Sequence, residues 1–317
     1  MVHIEYRKLI KFGNSSYIIS VPNLWLKKNN LRKGDVVCVE EDGDSRLILT
    51  STGGSKKEER GALININNKS EERIKEEVYR VYTDGADFIK LSGENLNDVN
   101  EGIRKTMNNL LAVEIVEQTN NTMVAKNFLN VEDVKIKDVI RRIDTILRSM
   151  FTDSVECLDK KNSESIALRD GDVNRLCYML LRVLKIGMRD PEVSKKIGVS
   201  GTELLHVWFI VTNLETIGDE VKRISRFLNG VKFTKKQKEE LRILYSDIEK
   251  AYLDVMKAYY KNDKELAFDV VFRREELHER CNDFFGKNNI PMVGGMVEKM
   301  KALVSWIKSI AMVAYED

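Results

Sequence analysis

The sequence predicts a multidomain α+β protein: a small β-rich N-terminal module, an α/β middle domain and an all-α C-terminal region. Three observations support this fold class. Residues 4–50 hold short β-type segments separated by turn residues, and residues 62–130 alternate strand and helix patterns. Beyond about Val131, apolar residues recur at helical spacing to the end. A chain of 317 residues is long enough for two or three cores.

The first module, residues 1–50, contains four strand candidates and one helical piece. The strand candidates are IEYRKLIKF, SYIISVP, DVVCVEED and SRLILT, and NLWLKKNN is the helix candidate. Gly-Asn, Gly-Asp and Asp-Gly pairs supply the turns. The polar, glycine-rich segment STGGSKKEERG predicts a linker over residues 51–61.

The middle domain, residues 62–130, has the predicted order βαβαββ. Its segments are ALININ, a helix from about Ser70 to Tyr82, ADFIKLSG, a helix from about Leu96 to Leu110, and AVEIVEQTNNTMVAKNF. The Asn-Asn pair in the last segment suits a hairpin turn. No function is predicted for this domain.

The C-terminal region predicts two sets of three helices, residues 131–229 and 230–317. The third helix has apolar residues at alternating spacings of three and four, which is typical of a bundle seam. The same seam shifted by 90 positions falls on small or apolar residues of the sixth helix, which indicates an internal duplication. The two seams are Val207, Ile210, Leu214, Ile217, Val221, Ile224 and Leu228, and Val297, Met300, Val304, Ile307, Ala311 and Ala314.

Composition narrows the function classes. Lys and Arg total 52 against 50 for Asp and Glu, so the whole chain gives no basic signal for nucleic acid. The four cysteines form no CxxC pair, and no window has the length and apolarity of a membrane span. No nucleophile, nucleotide-binding or metalloprotease motif occurs. We therefore expect a cytoplasmic, non-enzymatic protein without membrane insertion.

Charge is segregated within the first module. Residues 1–34 carry seven basic side chains against Glu5, whereas residues 35–50 carry Arg46 against five acidic side chains. Clustered Lys and Arg release counterions from DNA phosphates, so the basic end is a candidate DNA surface. The alternative is a solvated strand face whose charge is incidental.

The segment RKLIKFGNSSYIISVPNLWLKKNNLRKGDVVCVEEDG resembles the AbrB/SpoVT/MazE family of swapped-hairpin β-barrels. The resemblance implies that two chains interleave into one barrel and that its basic face binds DNA, although some relatives bind proteins instead. Carried over by position, it implies the DNA-binding residues Arg7, Lys8, Lys11, Asn14, Ser15, Ser16, Lys27 and Lys28. A module this short also has little core of its own, which favours at least a homodimer.

Two pairs of oxygen-bearing side chains lie four residues apart in the first helical set. Asp170 and Asn174 lie in the second helix, and Glu215 and Asp219 in the third, so each pair shares one helix face. If these helices pack side by side, the four side chains form a candidate site for Mg²⁺, Mn²⁺, Zn²⁺ or iron. The alternative is surface charge that pairs with Lys222 and Arg223.

Gly218 lies inside the third helix, where it costs about 1 kcal/mol relative to alanine. We interpret this glycine as making room for the second helix, so that Asp170 can approach the carboxylates of Glu215 and Asp219.

The segments RDGDVNRLCYMLLR and LETIGDEV resemble the paired signatures of the PhoU family, whose fold is two three-helix bundles with metal-binding E/D-x-x-x-D motifs. With the N-terminal module, the chain resembles archaeal phosphate uptake regulators. Asn174 departs from the usual Asp, and the second set has Arg274, His278, Ser305 and Ser309 at the matching positions. We therefore expect at most one metal site per chain.

These resemblances imply a phosphate-responsive regulator that binds promoter DNA and restrains phosphate uptake and signalling. The alternative is an adaptor that dimerises through its β module and binds the phosphate ABC transporter ATPase or a sensor kinase without binding DNA. A toxin-neutralising module is a third interpretation, which the long folded remainder disfavours.

Overall fold

The chain divides into two compact units, Met1–Glu59 and Arg60–Asp317. The computed structural model describes residues 4–42, 46–51, 59–94, 96, 100–160, 162–199 and 201–315. Most of the predicted linker, residues 52–58, lies outside the described residues.

The N-terminal unit consists of two antiparallel hairpins and a short helix. In chain order the elements are β1 (Ile10–Phe12), β2 (Ser16–Ile18), α1 (Asn23–Lys28), β3 (Val37–Asp42) and β4 (Arg46–Ser51). Strands β1 and β2 form one sheet and β3 and β4 another, so the described part of this unit is not a closed barrel. No residue of the unit whose exposure is described is buried. The described part of the unit therefore has no hydrophobic core of its own.

The second unit begins with a four-stranded mixed sheet in strand order β5-β6-β8-β7. Strands β5 and β6 are parallel and joined through α2, whereas β8 runs antiparallel to both β6 and β7. The predicted order βαβαββ is therefore observed. The elements are β5 (Gly61–Asn65), α2 (Glu71–Thr83), β6 (Phe88–Ser92), α3 (Asn100–Asn108), β7 (Val113–Gln118) and β8 (Thr122–Asn127).

Local signals explain the helix ends in this sheet domain. The Ser70 side chain accepts a hydrogen bond from the Arg73 backbone N–H and caps α2. Helix α3 ends at Asn108, earlier than the predicted Leu110, because the chain turns there toward Ala112, whose φ is +59°. Leu110 is nevertheless buried in the domain core.

The rest of the second unit is helical. After a 3₁₀ turn at Val131–Asp133, the helices are α4 (Ile136–Glu156), α5 (Ser163–Arg189), α6 (Pro191–Ile197), α7 (Gly201–Gly230), α8 (Lys235–Lys261), α9 (Lys264–Lys287) and α10 (Pro291–Ala311). Helix α6 was not predicted, because seven residues are too few to show a helical period. Asp190 caps its start, and Gly198 with φ +74° ends it.

Helices α4, α5 and α7 pack together as the first helical set, and α8, α9 and α10 as the second. Helix α7 also packs along α10, and the buried residues of both sets form one continuous core. Every residue of the two predicted seams is buried, which confirms the periodicity on which the helices were predicted.

A buried carboxylate joins the two helical sets. Asp144 of α4 accepts hydrogen bonds from the hydroxyls of Tyr252 and Tyr260 of α8, at 2.8 and 3.0 Å, and from Arg148 Nε at 2.9 Å. Burial, and then the neighbouring Asp144, raise the pKa of both tyrosines, which therefore remain hydrogen-bond donors.

The sheet domain docks on α5 through its helix α2. The buried Arg182 donates from Nη1 to the backbone oxygens of Tyr82 and Ala86, at 2.9 and 2.8 Å. The rings of Tyr79 and Tyr178 stack with centroids 4.6 Å apart. Helix α5 is therefore shared by the sheet domain and the first helical set.

No single helix in the described ranges is long and apolar enough to cross a membrane; α6 and α7 reach the length and composition of a span only when taken together as a bent pair.

Candidate ion site and nucleic-acid surface

The predicted ion site lies where α5 packs against α7. Asp170 of α5 is only 4% exposed, and Val173 and Leu147 lie beside it in the core. Glu215, Asp219 and Asn174 are half-buried. The structure thus places the four predicted residues at the edge of one helix interface, as their helical spacing predicts.

Lys222 of α7 lies between two of these carboxylates. Its Nζ is 2.5 Å from Asp170 Oδ2 and 2.5 Å from Asp219 Oδ1. The second oxygen of Asp219 accepts from Arg223 Nη2 at 3.2 Å. Asp219 therefore makes the ion pairs with Lys222 and Arg223 that the surface-charge interpretation predicts. Lys222 also contacts Asp170 on α5.

Burial and charge shift the pKa values of this cluster. Desolvation raises the pKa of Asp170, against the opposing effect of Lys222. Desolvation also raises the pKa of Glu215, and the nearby negative charges of Asp219 and Asp170 add to it. Burial alone would lower the pKa of Lys222, but its hydrogen bonds to Asp170 and Asp219 outweigh burial and raise it. Lys222 is therefore a protonated cation at neutral pH.

Two buried oxygens of the cluster have no hydrogen-bond partner, Asp170 Oδ1 and Asn174 Oδ1. The Asn174 amide nitrogen lies 3.5 Å from Asp170 Oδ2, which is at the limit of a hydrogen bond. Both orphan atoms are acceptors, so a donor such as a water molecule would satisfy them.

The arrangement of side chains does not fit a metal ion. Within the described ranges, no group of three or more His, Cys, Asp or Glu side chains is placed to hold one. Asp170 and Asp219 instead converge on the ammonium of Lys222. The metal site of Asp170, Asn174, Glu215 and Asp219 stays a prediction, and these contacts favour an internal cation at this point.

The contact between Lys222 and Asp170 was missed in the sequence. The two residues are 52 positions apart and lie on different helices. Helical spacing relates Lys222 only to residues of α7, so no local pattern signals its partner on α5.

The second helical set brings together the matching positions. His278 Nε2 of α9 lies 3.3 Å from Ser305 Oγ of α10 and 3.0 Å from the backbone oxygen of Lys301. Ser309 donates to the backbone oxygen of Ser305, and Arg274 pairs with Glu275. Hydroxyl and imidazole groups thus replace the carboxylates at this interface.

Gly218 allows close packing at the ion cluster, though mainly of α4. A Cβ atom there would lie 3.2 Å from Leu147 Cδ2 of α4 and 3.5 Å from Asp170 Oδ1. The nearest neighbour is therefore Leu147, and the predicted approach of Asp170 comes second.

We expect Gly218→Ala to change the free energy of unfolding by less than about 1 kcal/mol. Alanine stabilises the helix relative to glycine, but its Cβ forces Leu147 to shift, and the two effects nearly cancel. Gly171→Ala on α5 is the control: its Cβ would meet nothing within 4 Å, and we expect it to stabilise by up to about 1 kcal/mol. Urea unfolding measures both. A loss of several kcal/mol in Gly218→Ala would show that Leu147 cannot shift to accept the added Cβ.

The candidate DNA-binding residues lie in the N-terminal unit and are all exposed. Lys11 lies in β1 opposite Tyr17, Asn14 and Ser15 form the turn that follows, and Ser16 begins β2. Lys27 and Lys28 end α1, whereas Arg7 and Lys8 precede β1; Arg7 pairs with Glu5. These side chains are available to a large polyanion.

Within the second unit, a cavity of about 350 Å³ lies among the ends of both helical sets. Its walls include Arg141, His206, Tyr260 and Tyr315, and none of the predicted ion ligands. His206 is half-buried there.

Comparison with known families gives two matches. Residues 140–228 match the family model of the PhoU domain, and residues 10–57 match that of the MazE bacterial antitoxin, described as antidote-toxin recognition. No curated protein and no solved structure matches the chain significantly. The PhoU match runs from α4 into α7 and so covers the predicted ion site. The chain therefore combines a PhoU-type helical region with an N-terminal module of the MazE/AbrB type, as the two sequence resemblances predict.

Proposed function

We propose that the protein is a dimeric, DNA-binding regulator of phosphate homeostasis that restrains phosphate uptake and signalling. The PhoU domain fits a phosphate regulator, and the MazE/AbrB-like module fits DNA binding. Both families are regulatory, which supports a role without catalysis.

One observation supports the dimer and DNA parts of this proposal: the N-terminal unit has strands, but none of its residues with a described exposure is buried. Ile10, Phe12 and Tyr17 are each about three-fifths exposed, at 59%, 65% and 64%. Strands with large apolar side chains need a covering partner to be stable in water. A second copy of the same unit, with hairpins interleaved, would supply that cover and bring two sets of basic residues together.

The basic side chains would then serve as phosphate contacts. Lys11 and the turn after it extend from β1, and Lys27 and Lys28 from α1. Two copies would double the positive charge on one face, and duplex DNA rewards such clustering through counterion release. The near-neutral remainder of the chain supplies no competing basic signal.

We expect the full chain to bind its own promoter or that of a phosphate transporter in a salt-sensitive manner, measured by fluorescence anisotropy. Changing Arg7 and Lys11 together to Ala should weaken binding by an order of magnitude or more and reduce the slope of log K against log salt by about 2 per chain. The reason is the loss of two phosphate contacts from each chain.

The control variant changes Lys236 and Lys257 to Ala, which removes the same charge from exposed positions of α8 and should leave binding unchanged. Light scattering of the same samples should give twice the mass of one chain. Salt-insensitive binding, or equal losses in both variants, would contradict the proposal. Retrieval of a transporter ATPase or a sensor kinase by a chain that does not bind DNA would instead support the adaptor function.

A further inference from the structure

We propose that Lys222 is the resident cation of the acidic cluster, so that the PhoU-type region of this protein is held together there without a bound metal ion. Lys222 and its partners all lie in the second unit, so this role of Lys222 does not depend on whether the chain binds DNA.

The ammonium group joins two helices as a bridging metal would. Its Nζ lies at hydrogen-bonding distance from Asp170 on α5 and from Asp219 on α7, 2.5 Å in each case. The side chains of Lys222 and Asp170 are only 16% and 5% exposed. An ion pair so shielded from water is strongly coupled, and removing one partner leaves an uncompensated buried charge.

A metal ion and this ammonium exclude one another. Divalent ions and iron bind carboxylate oxygens at about 2.0–2.6 Å, so an ion bound to Asp170 and Asp219 would lie within a few ångströms of Nζ. Like charges at that distance repel strongly in a half-buried site. Lys222 would have to leave the cluster before a metal could enter.

The remaining oxygens offer a poor ligand set. Arg223 takes the second oxygen of Asp219, at 3.2 Å. That leaves Asp170 Oδ1 and the Asn174 amide oxygen as the orphan acceptors of the cluster. Glu215 adds a half-buried carboxylate, but burial and the nearby charges of Asp219 and Asp170 raise its pKa and so disfavour its anionic form. A divalent ion prefers six or more oxygens or several anionic ligands, which this set does not supply beside the ammonium of Lys222.

The second helical set offers no compensating site at the matching interface. Its corresponding side chains are Arg274, His278, Ser305 and Ser309. Serine hydroxyls are weak metal ligands, and a guanidinium repels cations. His278 is the one good ligand type among the four, and its Nε2 already lies 3.0 Å from the Lys301 backbone oxygen.

The test measures the metal content and melting temperature of the purified full-length protein. We expect far less than one metal ion per chain after incubation with Mn²⁺, Zn²⁺ or Fe²⁺ followed by desalting. We also expect the Tm to be unchanged by a chelator, because a bound metal would stabilise the folded chain. One tightly held metal per chain that disappears in Asp219→Ala would overturn the inference.

A pair of lysine variants tests the cation directly. Lys222→Gln should lower the Tm by about 5 °C or more, because it removes the cation that is hydrogen-bonded to the buried Asp170. Lys301→Gln is the control: Lys301 makes the same i, i+3 pair with Glu298 on α10, at 3.1 Å, beside an exposed carboxylate. Its Tm should change by no more than about 1 °C. Equal Tm values for the two variants would overturn the role of Lys222.

Discussion

Replacing Arg182 with methionine should lower the free energy of unfolding by about 3–5 kcal/mol. Arg182 is 1% exposed, and its guanidinium donates to the backbone oxygens of Tyr82 and Ala86. Methionine fills much of the same volume but donates no hydrogen bond. The Ala86 carbonyl then loses the donor that Arg182 supplies, and the Tyr82 carbonyl keeps only the Gly85 backbone N–H at 3.0 Å.

Urea unfolding of the full chain, followed by circular dichroism, measures this loss as a lower midpoint. Arg189→Met is the matched control, because Arg189 also donates to a backbone oxygen of the sheet domain, that of Asp84 at 2.6 Å, but from an exposed position. We expect the control to lose about 1 kcal/mol or less. Similar midpoints for the two variants would show that burial of Arg182 contributes nothing to the docking.

Changing Asp144 to Ala should lower the free energy of unfolding by about 3 kcal/mol or more. Asp144 is 4% exposed and accepts from three donors that belong to α4 and α8. Its removal leaves the fully buried hydroxyl of Tyr252 without a partner and opens a gap between the two helical sets.

Tyr260→Phe tests one hydrogen bond to Asp144 while the carboxylate itself stays in place. This variant removes one donor, the half-buried hydroxyl that lies 3.0 Å from Asp144 Oδ2, and leaves the carboxylate paired with Arg148 and Tyr252. We expect it to cost about 1 kcal/mol in urea unfolding. If Asp144→Ala were no more costly than Tyr260→Phe, the carboxylate would not join the two sets.

The elements of this fold could be predicted because their signals are local. The alternating spacings in α7 and α10 reflect one buried face per helix, and every residue of both seams is buried. The turn residues between β7 and β8 likewise marked a hairpin. Helix α6 escaped prediction because a seven-residue helix depends on its cap and on packing more than on a period.

The candidate ion site could be predicted only in part, because its decisive contact is not local. Spacing placed Asp170 near Glu215 and Asp219 at one helix interface, and the family resemblances placed that interface in a PhoU domain. The reach of Lys222 to Asp170 depends on how far the two helices are rotated about their axes and on which side chain fills the space. The spacing of residues along a single helix determines neither the rotation of the two helices nor the side chain that lies between them.

The docking of the sheet domain on α5 has a consequence for how the protein can be dissected. A fragment that begins near residue 131 would retain the entire PhoU match yet uncover Arg182, which the intact chain buries. It would also uncover Tyr178, which stacks on Tyr79. Such a fragment would expose a cation and an aromatic ring on the same helix that carries Asp170, and its solubility and affinities would be those of a different surface. Functional measurements on the helical region therefore require a chain that begins no later than β5.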